Sequence, residues 1–508
     1  MTMAESLDFN SHFRTFRPLT AYRTGSYTPR EELPAAFLSR EATTYGWDSV
    51  NCIKASIAND VLKKSDKYPH TLTIDMNPET GWQITANFDA WQIAPGGSGA
   101  ILFMKLPLTT ARMTYGSGEV SFKNGYALIS IKLRYVPQEQ KSATLASAAE
   151  QTIADLIADA EGRSTDDPAV TVQRIHYGDG TPSEDQRALF LASFAYLMNQ
   201  NLAAFQHVFA AVNLNQKAAE SAFQWLKPTY TSYAYFQGID DSSSYFAVLN
   251  QVESHSPEGL TNQVAASAIP DTCDSSILIS HRLFLERMVL PGLTQAFTKA
   301  PSNAFRMPAT ADVIESTQEV KLDPVKVGAI NYTPIMTYFR LQVVGAEVQI
   351  VSKVKIPISP GIVAYVNSTY FYVLGLVKKD DGTYTMDFEP SEEPEITSWH
   401  EIASWVTWTE VTVALIGSVV GAVVAEAIKQ TAQKIIAVVV IIVVAGVLAV
   451  VPSLIADVIA DGAAAALPPI GPLIDEAQAP VNWPDSSGFD LKSAELNGAL
   501  QFGGLLKV

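Results

Sequence analysis

Relative to its size, this chain is short of basic charge. Thirty-five Lys and Arg stand against 52 Asp and Glu in 508 residues, a formal net charge of −17. Nucleic acid is excluded as a principal partner, because neutralising phosphates takes a basic footprint. The same balance opposes electrostatic docking on anionic lipid. Charge of either sign is sparse, at 17% of residues against 47% hydrophobic, which excludes wholesale disorder and provides for a large core. Cysteine is nearly absent. Cys52 and Cys273 form no C-x-x-C pair, which argues against zinc; they read as two unrelated buried thiols, with one disulfide as the alternative.

The motifs of catalysis are missing as well. There is no Gly-x-Ser-x-Gly elbow. The seven histidines, at 12, 70, 176, 207, 255, 281 and 400, include no H-x-x-x-H pair, and His400-Glu401 lacks the second histidine of a zinc-protease helix. His176-Tyr177-Gly178-Asp179-Gly180 reads as a turn, and Asp240-Asp241 as a loop. The sequence therefore offers no catalytic residue, no metal ligand set and no cofactor motif, and the expectation is a non-enzyme. The N-terminus has no apolar h-region, which points to a cytoplasmic protein or one released by a non-classical route.

Apolar periodicity is abundant. Trp47, Val50, Ile53, Ile57 and Val61 recur three or four apart and predict a helix that includes Cys52. Trp82, Ile84, Ala86 and Phe88 alternate as a half-buried strand does. Pro95-Gly96-Gly97-Ser98-Gly99 reads as a plain turn before a second strand from Ala100 to Leu106; it lacks the spacing of a phosphate loop. Ala127, Ile129, Ile131, Leu133 and Tyr135 share one strand face. A helix is predicted from Ser142 to Ala160, and another from Ser183, whose hydroxyl is suited to the N-cap. Short strands are expected at Val248–Gln251 and Ile277–Ser280, and a break at Pro291-Gly292. Tyr338 to Leu376 is strongly β, with Val348, Ile350, Val354 and Ile356 facing one way. Lys379-Asp380-Asp381-Gly382 is suited to a hairpin turn, and Glu389 to Glu395 to a solvated acidic linker. Strands with interspersed helices indicate an α+β class.

Several stretches resemble a known family. Tyr45-Gly46-Trp47-Asp48, Phe88-Asp89-Ala90-Trp91-Gln92-Ile93, and the segments Phe205 to Tyr235, Ile277 to Leu293 and Val481 to Gly504 occur in order. Together they resemble the forty-seven-kilodalton accessory proteins of clostridial neurotoxin gene clusters of the OrfX type, in the tubular lipid-binding (TULIP) superfamily. The resemblance implies an elongated fold of curved antiparallel sheets wrapped around long apolar helices. It also implies a non-enzymatic role beside a toxin, with a lipid or other apolar ligand. On that basis residues 1–43 form an N-terminal extension ordered in part, 44–215 an N-terminal half and 216–508 a C-terminal half.

One feature pulls against a soluble reading. Ile435 to Ala456 carries no charge and holds 15 Ile, Leu or Val residues. As a helix of about 22 residues it is about 33 Å long, enough to cross a bilayer core. A shorter apolar piece, Val411 to Ala425, precedes it with Gly417 and Gly421 four apart, so that 411–456 has the outline of a helical hairpin. Three readings stay open: a buried or lipid-lining helix, a hairpin that inserts into membrane under some condition, and a constitutive anchor. Family-like sequence after the run favours the first, since a single crossing would part that segment from its sheet. Ile435, Val439, Ile442 and Leu448, with Trp405 and Trp408, are the candidate lipid or membrane contacts; Trp399 belongs with the latter two as an interface or rim aromatic. The alternatives to a lipid carrier are a membrane-inserting toxin component and a ligand-free, chaperone-like partner of a large toxin.

Overall fold

A computed structural model describes residues 41–66, 68–137, 153–158, 169–202, 211–213, 224–297, 299–327, 329–378, 384–403 and 488–507, with 425–427, 430–432, 435, 439, 474 and 481–482. The chain divides into two units. The first runs from Ser39 to Ser280 with Ile474–Ser493 and Gln501–Val508; the second runs from His281 to Leu473 with Ala494–Leu500. The boundary expected at 215–216 lies inside the first unit.

Two antiparallel sheets build the first unit. One has the order β10-β11-β1-β12-β25-β24, formed by β1 (Ser49–Lys54), β10 (Pro228–Phe236), β11 (Tyr245–Val252), β12 (Ser275–Ser280), β24 (Gly488–Asn497) and β25 (Ala499–Lys507). The other runs β2-β3-β5-β6-β7-β9-β23, with β4 on β5 and β8 on β6. Its strands are β2 (Thr71–Asn77), β3 (Trp82–Phe88), β4 (Gln92–Ser98), β5 (Ile101–Tyr115), β6 (Gly118–Pro137), β7 (Ile153–Ala158), β8 (Val170–His176), β9 (Ala211–Asn213) and β23 (Val481–Asn482). Period-two patterns set its faces: Ile84, Ala86 and Phe88 are buried, as are Leu102, Met104 and Leu106, and Ala127, Ile129 and Ile131. Helices α1 (Ala55–Ser65) and α2 (Glu184–Gln200) contribute Val61, Leu62, Phe190, Phe194, Leu197 and Met198 to the buried interior.

The second unit is built on an antiparallel sheet with the path β13-β14-β18-β19-β20-β21, with β15 on β18 and β22 on β20. Its long strands are β18 (Ile335–Val344), β19 (Glu347–Ser359) and β20 (Ile362–Lys378), flanked by β21 (Tyr384–Pro390) and β22 (Glu395–Ile402). The short ones are β13 (Phe305–Arg306), β14 (Val313–Ser316) and β15 (Val320–Lys321), and a separate pair joins β16 (Val325–Val327) to β17 (Ile330–Tyr332). Val348, Ile350, Val354 and Ile356 are all buried, as their alternation predicts. Helix α3 (His281–Ala296) opens with one α turn, widens to π winding over Phe284–Val289 and returns to α.

Four sequence expectations are corrected. The helix expected across Trp47 to Val61 is a strand up to Lys54 and a helix only from Ala55. Strand β1 lies between β11 and β12 and is buried on both faces, so it carries no alternation to oppose the helical spacing. Cys52 is therefore on a strand. The helix expected from Ser142 to Ala160 contains β7 instead, paired with β6 from Leu133 to Pro137; strand pairing overrides helix propensity there, and 142–152 and 159–160 lie outside the described residues. The glycine-rich turn is a strand edge, since β4 continues to Ser98 with an irregular register and reverses at Gly99-Ala100. A Cβ on Gly97 would sit 2.6 Å from the Ile101 carbonyl oxygen, so only glycine permits this approach. Pro291 does not end a helix. Leu290 N–H reaches back five residues to Leu285 O just before it, and the proline enters the following α turn, where its missing N–H is tolerated.

Other expectations hold. Strands occupy Val248–Gln251 and Ile277–Ser280 within β11 and β12. Cys52 and Cys273 are free and buried. Strands β20 and β21 pair from Lys378 with Tyr384, while 379–383 lie outside the described residues. The acidic stretch shortens to a link between β21 and β22, with Glu392, Glu393 and Glu395 exposed. Of the expected fold, the antiparallel sheets are present; the helices described are few and short, α2 being the longest described end to end at 17 residues, and no long apolar helix wrapped by a sheet is among them. Among the described residues no helix is long and apolar enough to cross a membrane. Residues 1–40 and most of 404–473 lie outside the described residues.

The Ser183 N-cap is a full capping box: its Oγ accepts from Gln186 N–H and its own N–H donates to Gln186 Oε1. Ser183→Ala is expected to lower stability by about 1 kcal/mol, read as an earlier urea midpoint of the transition that melts α2. An unchanged midpoint would show that the box adds nothing.

Candidate functional site

The Tyr45-Gly46-Trp47-Asp48 motif enters strand β1, and its groups are spent on backbone. The Trp47 indole N–H donates to Thr261 O at 3.0 Å, and its ring stacks on Tyr230 at 6.1 Å. The Asp48 side chain is 8% exposed and accepts from Val252 N–H at 2.9 Å and from His255 Nδ1 at 2.8 Å. Asp48 O accepts from Ser280 N–H at 2.9 Å, and Gly46 O from Gln251 Nε2 at 3.3 Å. The motif thus ties β1 to β11, to the end of β12 and to the loop carrying His255 and Thr261. That is a structural clasp, in which the imidazole and carboxylate hold chain segments together.

The interior of the first unit is aromatic and interlocked. Phe88 meets Trp91 at 5.6 Å and Phe194 at 6.4 Å, and Phe190 meets Phe122 at 5.2 Å and Phe194 at 6.1 Å. Edge-to-face and offset pairs of this kind add roughly 1 kcal/mol each beyond burial. Ser193 lies on α2 within this region, fully buried, with no hydrogen-bond partner for its hydroxyl among the described residues.

In the second unit the start of the apolar run and the residues leading into it supply a helical stripe. Ala427, Thr431, Ile435 and Val439 recur every four residues, and all are buried. Thr431 Oγ1 donates to Ala427 O at 2.7 Å, which satisfies its hydroxyl inside the helix. Gln430 Nε2 donates to Lys326 O at 3.0 Å, joining the stripe to β16. Of the candidate lipid contacts, Ile435 and Val439 are therefore at 1% and 0% exposure, side by side on one interior face. Ile442, Leu448, Trp405 and Trp408 lie outside the described residues. Trp399 is 41% exposed on β22 and stacks on Tyr365 at 5.1 Å.

The remaining titratable groups are also engaged locally. Asp240 accepts from Ser242 Oγ, Ser243 Oγ and Ser243 N–H, which hold its carboxyl below the usual range; the loop reading of Asp240-Asp241 holds. His176 to Gly180 is a turn, in which Gly178 has a left-handed φ of +51° and Asp179 Oδ1 accepts from Lys123 N–H. Burial pushes the Cys52 thiol up to about 12, so it stays protonated and unreactive. Among the described residues no group of three metal-ligating side chains forms.

One ion cluster escaped sequence reasoning. Asp312 accepts from His281 Nε2 at 2.7 Å and from Arg282 Nη1 at 2.8 Å, while His281 Nδ1 faces Gly498 O at 3.0 Å. The hydrogen bond from His281, then that from Arg282, holds the Asp312 carboxyl below its ordinary 3.8. The partners are separated by 31 and 217 positions, so no local pattern announces them.

Two outcomes follow from these contacts. A depressed folded-state pKa gives stability that is present above the unfolded value and lost as pH falls through the folded one. The stability difference between wild type and Asp312→Asn is therefore expected at full size at pH 6 and to shrink below about pH 4; a difference constant with pH would remove the ionic contribution. Val439→Asp places a carboxylate in the buried stripe and is expected to destabilise the second unit by roughly 3 kcal/mol or more. Unchanged thermal unfolding would mean that this face is not interior.

The family described as OrfX-like, protein OrfX2/OrfX3/P47, matches residues 44–504. Curated relatives include Protein OrfX3 of Paraclostridium bifermentans, 24% identical over 74% of this chain and 82% of its own length. Protein P47 of Clostridium botulinum (strain Kyoto / Type A2) is 24% identical over 59% of this chain and 69% of its own. Among solved structures, P47 from Clostridium botulinum A2 superposes with a TM-score of 0.65 at 18% identity, covering 92% of this chain and all of that one. P47 of Clostridium botulinum E1 gives 0.60 at 16%, covering 91% and 99%; these two likenesses concern the fold alone. With a match that starts at the buried Thr44 and ends in the final strand, the chain belongs to the OrfX-like family.

Proposed function

We propose that this chain is a non-enzymatic accessory protein of a bacterial toxin gene cluster that holds a lipid or another apolar ligand. The buried stripe at Ala427, Thr431, Ile435 and Val439 carries the reading. It covers about 18 Å of one helix face, and the sequence carries no charge from Ile435 to Ala456. One face is covered by protein; the others need apolar cover too, from protein or from acyl chains. A sheet wrapped around such helices, as in the TULIP folds that the sequence resembles, leaves a groove suited to an apolar chain. The non-enzymatic part is supported by the use of the carboxylate–imidazole contacts as ties between chain segments.

Detergent-free purification followed by organic extraction and mass spectrometry tests the proposal. A co-purifying lipid in near-stoichiometric amount is expected, and it should be lost from a chain lacking 411–456 that retains the folded first unit. Monodisperse protein that yields no lipid and takes up none from vesicles would overturn the carrier reading. Vesicle leakage that requires 411–456 would replace it with membrane insertion.

A further inference from the structure

Some cations on this surface are paired with carboxylates. Arg112 meets Glu119, Arg306 meets Glu315, Lys299 meets Asp323 and Lys355 meets Glu319. One group is gathered around a single aromatic ring instead. On the open face of the first unit's larger sheet, β5, β6 and β8 bring Lys105, Tyr126, Arg174 and His176 together. Lys105 and Arg174 both lie opposite Leu128, and His176 lies opposite Tyr126, so all share the face turned away from the buried Leu106 and Ala127. Lys105 Nζ is 4.9 Å from the centre of the Tyr126 ring, and the Arg174 guanidinium carbon is 5.8 Å from it. His176 stacks on the same ring at 5.1 Å and 7°. None of the three basic residues meets a carboxylate among the described residues.

We infer that Lys105, Tyr126, Arg174 and His176 form a binding site for a phosphate- or sulfate-type oxyanion. The argument is a donor inventory. Arg174 Nη2 donates to the Tyr126 hydroxyl at 3.1 Å, so the phenol has accepted and its own proton is free to be given. Gly178 N–H donates to His176 Nδ1 at 3.2 Å, which leaves the neutral ring's proton on Nε2. The ammonium and the remaining guanidinium N–H groups are donors only. Four side chains from three strands thus present donors and positive charge around one ring. A tetrahedral anion with three or four oxygens uses such a set more fully than a two-oxygen carboxylate. The site lies on the solvent face of the sheet, so it is independent of any apolar ligand held inside.

The group can belong to a soluble phosphate or to a lipid headgroup, and two arms separate these. In the first, inorganic phosphate is titrated calorimetrically into the full chain, against chloride at matched ionic strength. In the second, the chain is sedimented with phosphatidylcholine vesicles with and without phosphatidate. Binding in the first arm alone assigns a soluble ligand; phosphatidate-dependent sedimentation assigns a headgroup. In either arm Lys105→Gln/Arg174→Gln should weaken binding at least tenfold. Tyr126→Phe should weaken it severalfold, and Arg306→Gln, a paired cation elsewhere, should leave it unchanged. If the double variant does not fold, judged by its circular dichroism, the single Lys105→Gln and Tyr126→Phe variants carry the test. Absence of binding in both arms, or equal binding by Arg306→Gln and the cluster variants, overturns the site. Lipid extraction from the interior would be untouched by either result.

Discussion

The first unit depends on one constraint: strand β1 must be covered on both edges and both faces at once. Six residues, Ser49 to Lys54, pair with β11 on one side and β12 on the other, and five of the six are buried. A strand in that position cannot slip, because a one-residue shift would exchange its two faces and break both ladders. Asp48 sets the register at the entrance through Val252 N–H, His255 and Ser280 N–H. At the exit, helix α1 has no side-chain cap; Ala55 N–H and Ser56 N–H are satisfied by Ser244 O and Asp241 O of the loop before β11. The strand and the helix after it are therefore positioned by the same hairpin.

Polar chemistry in the described residues mostly follows this pattern of holding segments together. The buried Asn51 and Asn250 pair at 3.2 Å across β1 and β11, and the buried Ser352 and Ser368 hydroxyls meet at 2.7 Å across β19 and β20. Each is a hydrogen bond between buried polar groups of neighbouring strands, of the kind that fixes register. His255 and His281 belong to the same class, since both reach carboxylates remote in sequence. The cluster around Tyr126 differs because its donors are left facing solvent.

Legibility in the sequence followed burial geometry. Strands covered on one face, such as β3, β6 and β19, showed their period of two directly: Ile84 and Ala86, Ile129 and Ile131, Val348 and Ile350. Strand β1 did not, because burial on both faces erases alternation, and Val50, Ile53 and Ile57 then mimic a helix. Ile153 to Ala158 carries helix-forming alanine and leucine, and only its pairing with β6 makes it a strand. The capping box at Ser183 was legible because it is local. The Asp48–His255 and His281–Asp312 contacts were not, being made across 207 and 31 positions. The Tyr126 cluster was hidden for the same reason: Lys105 and Arg174 become neighbours only through the registers of β5 with β6 and of β6 with β8. The apolar run could be read as a membrane span because local composition cannot report what covers a helix; the buried Ile435 and Val439 show protein covering one face.

The central claim is that strand β1, locked by the Asp48 clasp, is the last part of the first unit to open. Native-state hydrogen exchange followed residue by residue tests it most directly. The account predicts that the amides of Val50 to Ile53 exchange only through unfolding of the whole unit and are as slow as any in it. Those of β2, at the end of its sheet, should exchange through smaller openings. Exchange of the β1 amides at rates matching β2, while β5 and β6 remain protected, would contradict it.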